Sequence, residues 1–510
     1  MPRQMNIAGG IREFARSSPD AVAVSDGVRS LTFAAVDERS NRFASVLRAA
    51  GMEAGDRLGL LSWNRLEFVE LAAGAAKAGV QLVPLNPRGS AVEHAGLLAR
   101  SGARALVADD ALAGNVPDGA QDFPVLLTLG GTDVGREYEG VLATGRATDP
   151  MVEVDESEPF VVQYTSGTTG QPKGALISHR SRVLTMYGCA VDYGLGPGRR
   201  TVAVAPMALG AGFAFGYAGC FMGGCTSMLR QWDPEALLDL IERDRVETVF
   251  LVPTHAAGLR QVMEGTGRLW DLTSLQTLYF NAAALPVPLK EWVMTAFPGV
   301  GVHELYGSTE AGIVTSLRPP DAMRKAGTVG HPWFMTEVVL LDDDGRHVPD
   351  GEQGELFGRS PFNMNGYLDD PEASADALRP DGFLTSGDLA VKDDEGFLRL
   401  VDRKKDMIIS GGQNIYPREI EIVLYGCEGV QDVAVVGLPD EIWGEAVAAF
   451  VVARPGARLN AESLETQLRS RLGGYKVPRS WHVVKDLPRN SNGKILKRAV
   501  RDEFVAGTGE

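Results

Sequence analysis

Short apolar runs alternate with amphipathic ones along roughly the first 150 residues, and that order leaves few folds open. AVAVSDGVRSLTF (residues 21–33) reads as two strands around an Asp26–Gly27 turn. AAVDERSNRFASVLRAAG (34–51) reads as a helix with Val36, Phe43 and Leu47 at apolar spacing, stopped by Gly51. DRLGLLSWN (56–64) is strand-like, EFVELAAGAAKAG (67–79) is a helix ending at Gly79, and VQLVPLNP (80–87) is the next strand. Strand and helix in alternation predict a mostly parallel α/β sheet. The pattern resumes from Phe160 to about Gly312, with PFVVQ, TVFLVP and LQTLYF as strands and SRVLTMYGCAV as a helix.

The texture then changes. TEVVLLDDDGRHVPDGEQGELFG (336–358) reads as a hairpin, so a small β unit follows. Beyond Lys404-Lys405-Asp406 the pattern is compact α+β, with Pro417 opening the helix PREIEIVLYG. The boundary is placed close to Arg403–Asp406, dividing the chain into residues 1–403 and 404–510.

Composition removes several function classes. A net charge of -16 argues against generic binding to nucleic acid or an anionic membrane. The stretch between Arg200 and Arg230 carries no charge and is long enough to span a bilayer. Its core, PMALGAGFAFGYAGCFMGGC, holds six glycines and a proline, which suits a strand, a loop and a close-packed helix better. Four cysteines without a CxxC pair predict free thiols in a reducing cytosol, and the amino terminus has no apolar signal segment.

The chemistry concentrates in YTSGTTGQPKGA (164–175). Thr165 to Gly174 hold four hydroxyl residues, three glycines and one lysine. Glycines let backbone N–H groups turn inward around an anion, and hydroxyls add donors. A Walker A loop is excluded, because Pro172 precedes Lys173 and Gly174 follows it. On the residues alone, a phosphate loop and a structural turn both stay open.

The loop resembles the phosphate loop of the acyl-adenylate-forming superfamily: acyl-CoA synthetases, adenylation domains of peptide synthetases and beetle luciferases. YGSTE (306–310), TSGD (385–388), DRKKDMIISGGQNIYPREIE (402–421) and PRNSNGKILKR (488–498) resemble its later motifs, in family order. The resemblance covers nearly the whole chain. It implies an α/β fold: a large N-terminal domain of two α/β subdomains plus a small β-barrel, and a small mobile α+β C-terminal domain. It also implies a cytoplasmic AMP-forming ligase using ATP, Mg2+ and CoA on a carboxylic acid, with no nucleic-acid partner and no integral membrane segment. A homodimer is left open.

The site residues come over motif by motif. The resemblance implies that Thr165, Ser166, Gly167, Thr168, Thr169, Gly170 and Lys173 hold the β- and γ-phosphates. Glu310 is the implied magnesium ligand, with Thr169 beside it. Ala283, Tyr306, Gly307, Ser308 and Thr309 are among the implied cofactor-binding residues, with Tyr306 stacked on the adenine. Asp388 takes the ribose hydroxyls and Arg403 reaches the ribose or phosphates. Lys494 bridges the attacking carboxylate and the α-phosphate. Lys405 is the implied hinge, and Gly411 and Gly412 are presented for thioester formation. Trp443 and GYKVPR (474–479) are expected along the CoA path.

The acyl pocket is expected from Met207, Leu209, Gly212, Phe213, Ala283, Gly307, Gly312 and Ile313, with His255 and Asn281 as its polar members. No member of this set is charged, which favours an apolar aryl or medium-to-long aliphatic acid over a dicarboxylate or a basic substrate. Two departures stand out. Ala208-Leu209 replaces the aromatic–His pair of many relatives, and NAAALP (281–286) replaces their Gly-Gly-Ala-Pro. The first leaves open another acceptor: a carrier-protein thiol, an amine or a small inorganic nucleophile. A luciferase-like oxidation and a non-catalytic nucleotide sensor are further rivals.

Overall fold

The computed structural model describes residues 4–131, 134–165, 172–411, 413–489 and 495–507. Two large sheets carry the α/β part. One has seven strands in the order Arg136–Glu137, Val125–Leu129, Ala105–Asp109, Arg57–Leu61, Gln81–Leu85, Pro159–Thr165 and Lys173–Ser178. All its neighbours are parallel except the last pair. The other has nine strands: His331–Pro332, Gly312–Leu317, Gly301–Ser308, Thr277–Phe280, Thr248–Leu251, Arg200–Ala203, Cys225–Met228, Val22–Ser25 and Ser30–Thr32. Its middle is parallel and both margins are antiparallel.

Parallel strands are buried on both faces, so they read as continuous apolar runs. Gln81–Leu85 and Val125–Leu129 are buried at every position. The covering helices start and stop where local chemistry dictates. Thr32 accepts the Ala35 N–H to cap Phe33–Ala49. Ser90 and Glu93 form a reciprocal cap on Ala91–Ser101, which Gly102 ends in the left-handed conformation. The apolar glycine-rich stretch forms the buried helix Gly210–Phe221 and then the strand Cys225–Met228. Among the described residues no helix is long and apolar enough to cross a membrane.

The small β unit, expected as a barrel, is a four-stranded antiparallel sheet: Glu337–Leu341, Gln353–Arg359, Leu384–Lys392 and Leu398–Arg403. Its two outer strands are not paired with each other among the described residues. After a short turn, Lys404–Asp406, a separate five-stranded sheet gathers strands from Ile408 to Val484 around its own core of Ile408, Ile420, Val435 and Leu468.

One local expectation changes. The hydroxyl-rich loop is followed by a strand, Lys173–Ser178, before the helix His179–Tyr193 begins. The loop therefore joins two antiparallel strands, with Thr165 opposite Lys173. Gly174 makes the pairing tight, since a Cβ there would lie 2.8 Å from Val162 Cγ1.

Candidate active site

A cavity of about 380 Å³ opens beyond the carboxyl ends of the parallel strands of the nine-stranded sheet. This is where open α/β sheets bind ligands. Chain leaving the strands ending at Ala203, Met228, Leu251, Phe280 and Ser308 supplies Ala205, Arg230, Val252, Asn281 and Thr309 to its wall. The helix His179–Tyr193 closes another side with Ser181, Arg182 and Thr185. Asn64 fixes the wall. Its amide donates to the Ala203, Ala205 and Leu229 carbonyls, each at 3.1 Å, and its Oδ1 accepts the Met207 N–H at 2.8 Å.

Glu310 sits in the turn between Gly301–Ser308 and Gly312–Leu317. That turn needs two glycines. A Cβ at Gly307 would lie 1.9 Å from the Gly312 carbonyl oxygen, and Gly312 itself has φ +66°. Glu310 Oε1 accepts the Thr165 hydroxyl at 3.2 Å and the Tyr367 hydroxyl at 2.9 Å. Lys173 Nζ lies 5.2 Å from the centre of the Tyr367 ring. One carboxylate, one ammonium and two hydroxyls thus meet beside the hairpin of Pro159–Thr165 and Lys173–Ser178. Burial and the Glu310 carboxylate push the Tyr367 phenol well up, so it stays a donor. Tyr367 escaped sequence reasoning, because a Gly-Tyr pair in a loop carries neither period nor charge.

Asp388 is held from both sides. The Tyr306 hydroxyl donates to Oδ2 at 2.7 Å, and Arg403 Nε lies 3.2 Å from Oδ1. Burial first, and the Asp388 charge second, raise the Tyr306 phenol far above its usual range. The Ser386 hydroxyl reaches Ser308 Oγ at 2.9 Å, tying the TSGD and YGSTE segments together.

Of the expected acyl-pocket set, Leu209, Gly212, Gly307, Gly312, Ile313, His255 and Asn281 line the cavity, as do Ser308 and Thr309. Met207, Phe213 and Ala283 do not. Met207 is fully buried, Phe213 packs among Phe68, Phe160 and Tyr217, and Ala283 is exposed while its neighbour Ala282 faces the cavity. His255 does two things at once. It stacks on Trp232 at 4.1 Å and takes the Val252 N–H on Nδ1, and burial lowers its pKa to about 4, so it is neutral at pH 7. The set expected from sequence was also incomplete: Arg88, Arg182 and Arg230 line the same cavity. Three guanidinium groups in the wall remove the ground for disfavouring a dicarboxylate.

In the C-terminal part, Gly411 has φ +55° and its N–H donates to the Trp443 carbonyl at 2.8 Å. Arg479 lies 4.2 Å over the Trp443 ring. The structure thereby brings together Gly411, Trp443 and the end of the GYKVPR segment. Lys405 is exposed in the turn Lys404–Asp406, whose Lys404 pairs with Asp343 and Glu355. Ser166, Gly167, Thr168, Thr169, Gly170, Gly412 and Lys494 lie outside the described residues.

Known proteins are similar to this chain in sequence and fold. The model of the AMP-binding enzyme family matches residues 11–368, and that of the AMP-binding enzyme C-terminal domain matches residues 419–494. A feruloyl-CoA synthase from Amycolatopsis sp is 38% identical, covering 96% of this chain and 97% of its own length. The long-chain-fatty-acid–CoA ligase FadD13 of Mycobacterium tuberculosis is 35% identical over 98% of this chain and 99% of its own. The solved structure of amide bond synthetase McbA from Marinactinospora thermotolerans superposes with a TM-score of 0.86 at 32% identity, covering 98% of this chain and 100% of its own. The chain belongs to the AMP-binding enzyme family, within the acyl-adenylate-forming superfamily, and is an ATP- and CoA-dependent acid ligase of the AMP-forming kind.

Proposed function

We propose that the enzyme activates an acid with an aryl or medium-to-long aliphatic body, and that the cavity beyond the strand ends is where that body sits. An oxygen of the acid attacks the α-phosphorus of ATP and pyrophosphate leaves, giving an acyl-adenylate. The CoA sulfur then attacks the acyl carbon and AMP leaves. An anion attacking a polyanion needs alignment and neutralised charge more than covalent help from the protein. The observation that carries this reading is the meeting of Thr165, Lys173, Glu310 and Tyr367 at the phosphate hairpin, beside a cavity walled by Leu209, Phe215, Phe250 and Ile313. The names of the feruloyl and long-chain-fatty-acid relatives support the substrate class.

In this reading Asp388 accepts ribose hydroxyls on lone pairs that Tyr306 and Arg403 leave free, while those two stop it from turning. Lys173 and Thr165 bind phosphate oxygens. A magnesium ion arriving with ATP fits Glu310. Among the described residues no cluster of three metal-ligating side chains exists, so phosphate and water oxygens would complete the shell. The ion would neutralise phosphate charge. Lys494 steadies the incoming carboxylate against the α-phosphate, and the segment 404–510 turns about Lys405 between the two half-reactions. Four free cysteines and the use of ATP and CoA support a cytoplasmic setting.

A second acceptor is favoured by one observation. Ala208 and Leu209 stand where many relatives have the aromatic–His pair, and the superposing McbA is named an amide bond synthetase. AMP release with ATP, magnesium and a panel of aryl and aliphatic acids, with and without CoA, decides. Turnover that requires CoA upholds the ligase reading. A single burst of pyrophosphate that CoA leaves unchanged moves the acceptor to an amine or a carrier thiol.

A further inference from the structure

Arg182 is the least provided-for charge in the cavity. It sits in the first turn of the helix His179–Tyr193, is 8% exposed and lines the cavity wall. Its Nε is sealed from solvent and has no hydrogen-bond partner, and among the described residues no carboxylate pairs with the guanidinium. The hydroxyls beside it are spent elsewhere: Ser181 donates to the Phe362 carbonyl at 2.8 Å and Thr185 to the Ser181 carbonyl at 2.8 Å. Among the described residues the titratable group acting on it is the Cys189 thiol, which burial pushes so far up that it stays neutral. Burial draws the Arg182 pKa down to about 10, so the group is still a cation at neutral pH.

The rest of the lining sharpens the point. Among the described residues the lining as a whole, Arg182 included, holds three arginines and no aspartate or glutamate. Arg230 has a partner outside the cavity, Asp109 at 2.8 Å. Arg182 has none. A desolvated guanidinium is costly unless a geometrically matched anion meets it, and a planar fork is matched by a carboxylate. In the proposed function Lys173 meets the phosphates at the hairpin, so Arg182 is not assigned there.

We propose that Arg182 binds a second carboxylate of the acid substrate, at the end remote from the carboxylate that is activated. The substrate is then an acid with an apolar body and an anionic far end: an α,ω-dicarboxylic acid or a carboxyl-substituted aryl acid. This rests on the acid–ligase reading and narrows its substrate class. Arg182 is a specificity residue and takes no part in the bond changes.

The test compares matched acids on the full-length enzyme: octanoate against octanedioate, and cinnamate against 4-carboxycinnamate, each also as the far-end methyl ester. Pyrophosphate release gives kcat/KM. The expected result is a preference for one diacid over its monoacid of roughly 10- to 100-fold, carried mainly by KM. Arg182→Met should abolish that preference, and Arg182→Lys should keep part of it. A wild-type preference for the monoacid or the ester in every pair overturns the proposal, whatever the variants do. A preference that survives in Arg182→Met also overturns it. If no acid releases pyrophosphate, the ligase reading fails separately, and calorimetry with the diacids still decides: binding by the wild type lost in Arg182→Met supports the site, and no binding sinks it.

Discussion

The Tyr306 hydroxyl donates to Asp388 Oδ2 at 2.7 Å, across 82 residues of sequence, and so joins the nine-stranded sheet to the four-stranded one. Arg403 holds the other oxygen of the same carboxylate. A hydrogen bond to a charged acceptor is worth roughly 1.5–3 kcal/mol. Tyr306→Phe should therefore raise KM for ATP about tenfold or more, with a smaller change in kcat, because a carboxylate free to turn still binds ribose but must be ordered first. Asp388→Asn should cost more, since it removes the acceptor charge itself. Initial rates at varied ATP check both, and an unchanged KM in Asp388→Asn would remove this carboxylate from the nucleotide site.

Lys494→Ala should separate the two half-reactions. A positioned cation at a developing charge is worth roughly 100- to 1,000-fold in rate. Acid-dependent pyrophosphate release should fall by about that factor or more. CoA thioester formation from supplied acyl-AMP should keep most of its rate, because that step needs no charge relief at the α-phosphorus. Adenylation at the wild-type rate would sink the assignment of Lys494.

Much of the frame was legible because period and punctuation carry it. Gly79 ends its helix at φ 75° where the pattern broke, and Asp26–Gly27 turns between two strands. Candidate site residues stood out in the sequence where several unusual residue types crowd into a few positions, as between Thr165 and Gly174. What escaped depends on which face of an element turns inward. Arg180 and Arg182 are two residues apart in one apolar-and-polar helix, yet Arg180 is exposed and pairs with Glu156 while Arg182 faces the cavity. Nothing local distinguishes them. Phe213 shows the converse: an aromatic near the pocket segment turned away because Phe68, Phe160 and Tyr217 offered it a closer packing partner.

Ala282 adopts φ 74°, a left-handed conformation that alanine rarely takes, and the Asn281 side chain accepts its N–H. Left-handed backbone costs a non-glycine residue roughly 1–2 kcal/mol. Ala282→Gly should recover about 1 kcal/mol of this in the folded state, less what the freer unfolded chain takes back. The net expectation is a small rise in the unfolding midpoint with ATP binding preserved. A clear fall in the midpoint would mean that the Ala282 methyl packs usefully against the cavity wall.

Three buried histidines set how the fold responds to acid. Burial lowers His179 to about 3, His255 to about 4 and His303 to about 4. His179 is held neutral by accepting the Ile7 N–H on Nδ1 at 3.1 Å. In the unfolded chain each returns to about 6.5. Between these values the unfolded state binds more protons, so stability rises with pH and is lost as pH falls below about 6.5. Each group contributes up to roughly 1.4 kcal/mol per pH unit across its window. Burial raises the Glu70, Glu304 and Glu421 carboxyls, which pull the slope the opposite way, so the histidine share is read from the change on substitution rather than from the total slope. His179→Asn, whose Oδ1 can take the same N–H, should flatten the slope of unfolding free energy against pH in that interval. Urea midpoints at half-unit pH steps measure it, and an unaltered slope would mean that His179 is not among the groups that protonate on unfolding.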